Sequence, residues 1–272
     1  MPKEKKYHIR KYSPVRRILA DFNSVAASLN RVYGLIEIDV TDALTKMKEI
    51  EKKKKYKVSM TGWIAKCVSQ AVMENKHLNS FRKGRRKIII FDEVDISIIV
   101  EITTKEGKKV PYNYVIRNVE IKSVKTITDE IRSYQDKKID EQEQLTRGTS
   151  RYMSFFVILP RFFRRFVIRK MFTTPNRMKK LVGTVGITSL GMFIKGQGAY
   201  AIPFPGKTLN IAIGSIKDQV AMRNGKIEER KILCTTFLID HDLVDGAPAT
   251  RFISRLSVLM SDASYLDDLE KV

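Results

Sequence analysis

The chain has 272 residues, 43% of them apolar and 30% charged, a balance that suits a folded protein with a sizeable core and excludes disordered and fibrous classes. Its 51 Lys and Arg against 30 Asp and Glu give a net charge of +21, which nominates an anionic partner: nucleic acid, a membrane surface or a phosphorylated small molecule. The two cysteines, Cys67 and Cys234, lie far apart inside apolar runs, as buried thiols of a reducing compartment do, and argue against a disulfide framework.

Met1 to Arg10 is basic and polar and does not read as a secretory signal. Pro14 to Asn30 carries apolar residues at Val15, Ile18, Leu19, Phe22, Val25, Ala26 and Leu29, a helical period. Gly34 to Val40 alternates as a half-buried strand does, and Thr41 is placed to cap a helix that runs into the lysines at 52–55. That lysine run reads as a solvated helix end, stabilised by the helix dipole. Residues 61 to 75, with Trp63, Ile64, Cys67, Val68, Ala71 and Val72, predict a buried helix. Strand-like runs follow at Lys87 to Phe91, Asp95 to Ile102 and Val110 to Ile116, then a polar helix from Val124 to Lys138. After a basic segment come strands at Gly183 to Gly191, Leu209 to Ile216 and Ile232 to Asp240, the last rich in β-branched and aromatic residues. Phe252, Leu256 and Leu259 predict a closing amphipathic helix over Ala247 to Leu259. Strands and helices do not alternate strictly enough for a doubly wound parallel sheet. The expectation is an α/β two-layer sandwich with a mixed, largely antiparallel sheet covered by helices.

Three stretches hold most of the excess charge: residues 1–20 with seven basic and one acidic side chain, 48–57 with six and two, and 151–180 with nine and none. No nucleic-acid module with stacking aromatics or a recognition helix accompanies them, so nucleic acid is not the expected partner. Nor is there a metal-ligand cluster. The longest uncharged apolar run, Tyr152 to Pro160, is far short of a membrane span of roughly 20 residues, so a cytoplasmic protein is expected.

The chemistry concentrates at Asp240-His241-Asp242-Leu243-Val244-Asp245-Gly246. A histidine stands where a strand ends, followed by a turn and a helix, held by rigid elements yet reachable, and its ordinary pKa suits a general base at neutral pH. Taken alone, the same residues could simply make a turn. Upstream, Gly183-Thr184-Val185-Gly186-Ile187-Thr188-Ser189-Leu190-Gly191-Met192-Phe193 ends a strand in two hydroxyl residues. Val15-Arg16-Arg17-Ile18-Leu19-Ala20 and Glu37-Ile38-Asp39-Val40-Thr41 stand near the start.

These four motifs, in register over nearly the whole chain, resemble the catalytic domain of the acyltransferase component of 2-oxo acid dehydrogenase complexes, whose fold is that of chloramphenicol acetyltransferase. The resemblance implies acyl transfer between coenzyme A and a lipoyl-type thiol or a hydroxyl acceptor. It assigns His241 the role of general base on the thiol, with Thr188 stabilising the oxyanion when Leu190-Gly191 is aligned, or Ser189 if the loop shifts by one residue. Asp245 would shape the histidine loop, with Arg16 or Arg17 as a partner. It also implies a homotrimer or multiple of trimers, with the site between subunits, and no metal. The competing expectation is a non-catalytic trimeric scaffold or membrane-surface assembly protein on the same fold.

Residues 1–12 read as a basic arm and 13–272 as one acyltransferase-type catalytic domain, with an insertion at about 151–181. No lipoyl domain precedes it in this sequence, so the acyl carrier is expected to be another protein such as a separate lipoyl protein, free lipoamide, or a carrier other than lipoyl. Asp242 replaces the family's usual arginine beside the base. In the insertion, Arg161, Arg164, Arg165 and Arg169 share one helical stripe and Phe162, Phe163, Phe166 and Val167 the other. Such a helix reads as a membrane-surface segment over 151–172, a partner-docking helix or a lid, or as an insertion packing its aromatics inward with its arginines in solvent. A peripheral position at a membrane is therefore the second expectation for localisation.

Overall fold

The computed structural model describes residues 7–9, 11–84, 86–103, 107, 109–136, 156, 158–191, 196, 198–223 and 225–269. Its main sheet has six strands: β1 (Arg31–Asp39), β4 (Ile96–Thr103), β5 (Lys109–Ile116), β6 (Val185–Ser189), β7 (Leu209–Arg223) and β8 (Lys226–Asp240), in the order β1-β8-β7-β6-β4-β5. β6 runs parallel to both its neighbours, and the other three pairings are antiparallel. This is the mixed, largely antiparallel sheet that the sequence predicts. β2 (Ser80–Lys83) and β3 (Lys87–Ile90) form a separate hairpin, so the run at Lys87 to Phe91 does not join the sheet.

The described α-helices are α1 (Pro14–Ala26), α2 (Thr41–Lys54), α3 (Met60–Glu74), α4 (Val124–Gln135), α5 (Arg161–Phe172), α6 (Pro175–Val182) and α7 (Gly246–Ser261), with short 3-10 turns at Lys76–Asn79, Val119–Ile121 and Asp267–Leu269. Ser13 caps α1 through its hydroxyl, with Pro14 in the first turn, where a missing amide hydrogen costs nothing. Thr41 does not cap α2; its hydroxyl donates to Asp39 Oδ1 at 2.6 Å and it forms the first turn itself. The core lies between α3, α4, α7 and one face of the sheet. Trp63, Phe237 and Phe252 are fully buried there, with the two phenyl rings edge to face at 6.0 Å and the Trp63 indole donating to the Ser264 carbonyl at 2.9 Å. Both cysteines are free and buried.

β7 and β8 are longer than their apolar runs suggest. Their outer halves, Lys217–Arg223 and Lys226–Lys231, form a charged two-stranded arm, and its polar composition conceals it from a search for apolar alternation.

α5 departs from one of the readings offered for the insertion, the one that packs its aromatics inward and leaves its arginines in solvent. Arg164 faces inward and is buried, its guanidinium 2.7 Å from Asp21 of α1; Arg161 at 3.1 Å and Arg165 at 3.4 Å reach the same carboxylate from more exposed positions, and Arg169 is exposed. Phe162, Phe163 and Phe166 are exposed. Leaving the buried Asp21 carboxylate unpaired would strand a charge out of water, and the Arg164 side of α5 meets it. Residues 151–155 and 157 lie outside the described residues. Among those described, no helix is long and apolar enough to cross a membrane.

Candidate active site

β8 ends at Asp240, residues 241–243 turn, and Asp245 stands at the N-cap of α7 with extended backbone and no side-chain cap bond. His241 is exposed, and its amide donates to the Asn30 carbonyl at 3.0 Å, tying the turn to the residue before β1. The two carboxylates that flank it are each held. Asp240 pairs with Arg31 at 2.9 Å, both side chains nearly excluded from solvent. Asp242 accepts from Arg82 Nη2 at 2.7 Å and from Asn30 Nδ2 at 2.9 Å. Burial pushes the Asp240 carboxyl above the usual carboxylate range, against the pull of Arg31. The hydrogen bond from Asn30, with the Arg82 guanidinium, holds Asp242 below it. The imidazole thus projects from a turn braced on both sides.

The sequence does not single out Asn30, Arg31 or Arg82. Each is brought to the turn by long-range pairing of β1 and the β2–β3 hairpin, which no local signal announces. Asp242, expected to alter the charge beside the base, is neutralised by Arg82. Neither Arg16 nor Arg17 reaches Asp245 among the described residues; Arg16 instead donates its amide to Ser13.

The hydroxyl candidates stand elsewhere. β6 is seated by the Gly-Thr pair at its start: Gly183 has φ +72°, and a side chain there would meet the Asp95 carbonyl at 2.7 Å, so only glycine fits. Thr184 then bonds the Asp95 backbone through both its amide, at 2.7 Å, and its hydroxyl. At the other end of β6, Ser189 is abreast of Ile213 and Thr235, and Thr188 of Ala212 and Thr236. Adjacent strand residues point to opposite faces. Ile213 belongs to the main core, so Ser189 takes that side, where it lines a cavity of about 790 Å³ together with Val100, Ile131 and Gly214. Thr188 points to the opposite face and is half-buried. Gly191 lies close against β7, where a side chain would strike the Gly214 carbonyl. Met192 and Phe193 lie outside the described residues.

Thr188 stands level with Thr236, four residues before Asp240 and two strands away. At a rise of about 3.3 Å per residue and about 4.8 Å between strands, it lies on the order of 16 Å from the end of β8. One chain therefore brings His241 and Asp245 together but neither Thr188 nor Ser189 to them. Among the described residues no group of His, Cys, Asp and Glu could hold a metal ion.

Residues 4–149 and 168–266 match the family model described as 2-oxoacid dehydrogenases acyltransferase (catalytic domain); the unmatched stretch between them contains the first part of α5. The lipoamide acyltransferase component of the branched-chain alpha-keto acid dehydrogenase complex of Bacillus subtilis is 22% identical over 249 residues, covering 90% of this chain and 50% of that protein. The chain thus spans about half the length of this relative. Among solved structures, a probable dihydrolipoamide acetyltransferase from Listeria monocytogenes superposes with a TM-score of 0.68 at 21% identity, over 95% of this chain and 96% of that one. A dihydrolipoamide acetyltransferase from Azotobacter vinelandii, studied for the role of a serine, a histidine and an asparagine in its mechanism, gives 0.68 at 18%, over 96% and 94%.

Proposed function

Because the chain belongs to the 2-oxoacid dehydrogenase acyltransferase catalytic-domain family, we propose that residues 13–272 act as one catalytic unit that moves an acyl group between coenzyme A and a lipoyl-type thiol carried on another protein or domain. The observation that carries this reading is His241, exposed on a turn braced by Asn30, Arg31 and Arg82 at the head of α7.

A thiol with an ordinary pKa near 8.5 is mostly protonated at neutral pH. His241 accepts its proton as the sulfur forms its bond to the thioester carbonyl. A hydroxyl donates to the developing oxyanion; the tetrahedral intermediate then collapses with cleavage of the original thioester C–S bond, and the imidazolium protonates the departing thiolate. Thr188 is the donor in this reading, because the family alignment falls on it and it is half-buried on the face away from the main core. Ser189 is the second reading, favoured by its place on the wall of the 790 Å³ cavity. Asp245 sets the start of α7 and so the direction of the turn. The separation of His241 from both hydroxyls supports a site completed by a second copy, as in a trimer. Coenzyme A acts as substrate, and no metal takes part.

The test follows thiol release from acetyl-CoA in the presence of dihydrolipoamide. His241→Ala should lower kcat by about 10²–10⁴. Equal turnover in the variant would refute the role. A wild-type chain inert towards every thiol and hydroxyl acceptor would leave the scaffold reading.

A further inference from the structure

A second cavity, of about 250 Å³, lies behind the histidine turn, where Asp240 and Leu243 form part of its wall. Arg31, Arg82 and Arg169 also line it, three arginines beside that carboxylate, with Phe81 and Phe172 as apolar sides. The three come from separate parts of the fold: β1, β2 and α5. The Arg31 side chain is only 6% exposed. Its Nη1 serves Asp240 and the Lys207 carbonyl, while its Nε–H is buried with no hydrogen-bond partner among the described residues. An unpartnered guanidinium donor in a cationic cavity is costly unless an acceptor occupies the space.

We infer that this cavity binds a phosphoryl group. With Arg31 paired to Asp240 and Arg82 to Asp242, Arg169 is the surplus cation of the wall; guanidinium forks match phosphate oxygens, and the volume holds a phosphate or the head of a phosphate ester but not a whole nucleotide. Arg31 Nε and the Arg169 guanidinium are the donors left for it, since Arg82 is engaged by Asp242. The inference does not rest on acyl transfer: an inactive chain that binds phosphate upholds it, and an active chain that does not refutes it.

The experiment titrates the full chain with inorganic phosphate, by calorimetry and thermal shift, against chloride at equal ionic strength. Saturable binding beyond the chloride control is expected, weakened about tenfold or more in Arg169→Gln. Arg169 is exposed, so that variant keeps its fold, whereas Arg31→Gln also breaks a buried pair and is scored only if its circular dichroism is unchanged. Phosphate binding no stronger than the chloride control, or unaltered by Arg169→Gln, overturns the site. A second arm identifies the phosphoryl source. Displacement of phosphate by coenzyme A but not by pantetheine, with a raised KM for coenzyme A in Arg169→Gln at unchanged kcat, makes it the cosubstrate's own phosphate. Phosphate that stays bound at saturating coenzyme A makes it a separate phosphorylated ligand.

Discussion

Arg31 Nη1 and Asp240 Oδ2 stand 2.9 Å apart, so the first residue of β1 and the last of β8 are joined by charge as well as by register. Burial pulls the Arg31 guanidinium below its usual range and pushes the Asp240 carboxyl above its own, so on both sides desolvation outweighs the mutual attraction. Such a pair is costly to break and cheap to replace. Arg31→Met or Asp240→Leu alone should cost about 3–5 kcal/mol, and the double variant should recover most of it. Urea unfolding of the four chains of the cycle measures this. Equal costs that simply add would show that the pair is not coupled.

Lys207 offers a pH signature. Its ammonium lies in the sheet with the Ser97 hydroxyl as acceptor at 2.6 Å, and burial lowers its pKa from 10.5 to about 8. The folded state therefore binds this proton less tightly than the unfolded chain. Between about pH 8 and 10.5 the unfolded state holds more protons, so stability should rise with pH across that window, by up to the order of 3 kcal/mol. Lys207→Met should abolish the rise and be the more stable chain at pH 7. A stability profile over pH 7–10 that is identical in the two chains would refute this account.

How far the sequence reaches is clearest at the histidine turn and at α5. The turn is legible because its signals are local: a β-branched run stops, His241 and Asp245 follow, and Phe252, Leu256 and Leu259 set a helical period. Its braces are not legible, because Asn30 and Arg82 reach Asp242 over 212 and 160 residues through strand pairings that local pattern leaves open. The α5 amphipathicity was equally visible, but which stripe faces inward depends on Asp21, a lone acid on α1 that a hydrophobic pattern ranks as solvent-facing. Arg164 turns toward that charge, together with buried Ile168, while Phe162, Phe163 and Phe166 stay exposed.

That arrangement makes Asp21 the anchor of α5. Asp21→Asn removes the charge beside buried Arg164 and should cost about 3–5 kcal/mol, felt first where α5 meets α1. Limited trypsin digestion should cut the variant at Arg161 to Lys170 well before the wild type, while α7 and β8 stay protected. Unchanged digestion there would show that the Phe22 contacts with Phe172 and Phe204, at 5.0 and 5.5 Å, suffice to hold the helix.

The two hydroxyls can be separated by substitution. Because Thr188 and Ser189 point to opposite faces of β6, only one of them can serve a given site. Loss of an oxyanion donor costs about 3 kcal/mol, or a hundredfold or more in kcat. Thr188→Ala should show that loss with little change in KM, and Thr188→Ser should restore activity. Ser189→Ala should be near wild type in kcat. The reverse pattern would transfer the role to Ser189 and to the cavity it lines.

The separation of about 16 Å between Thr188 and the end of β8 yields a sharper test of assembly than size alone. If each site takes His241 from one copy and its hydroxyl from the next, His241→Ala and Thr188→Ala chains are each inactive yet complementary. Unfolded together and refolded as a mixture, they should regain about a quarter of the wild-type sites by random assortment in a ring of copies, while each refolded alone stays inactive. Activity in a mixture of separately folded chains should remain absent until subunits exchange. If the refolded mixture stays as inactive as its components, both groups belong to one chain's site, and the turn after β8 would have to move by more than 10 Å to reach β6.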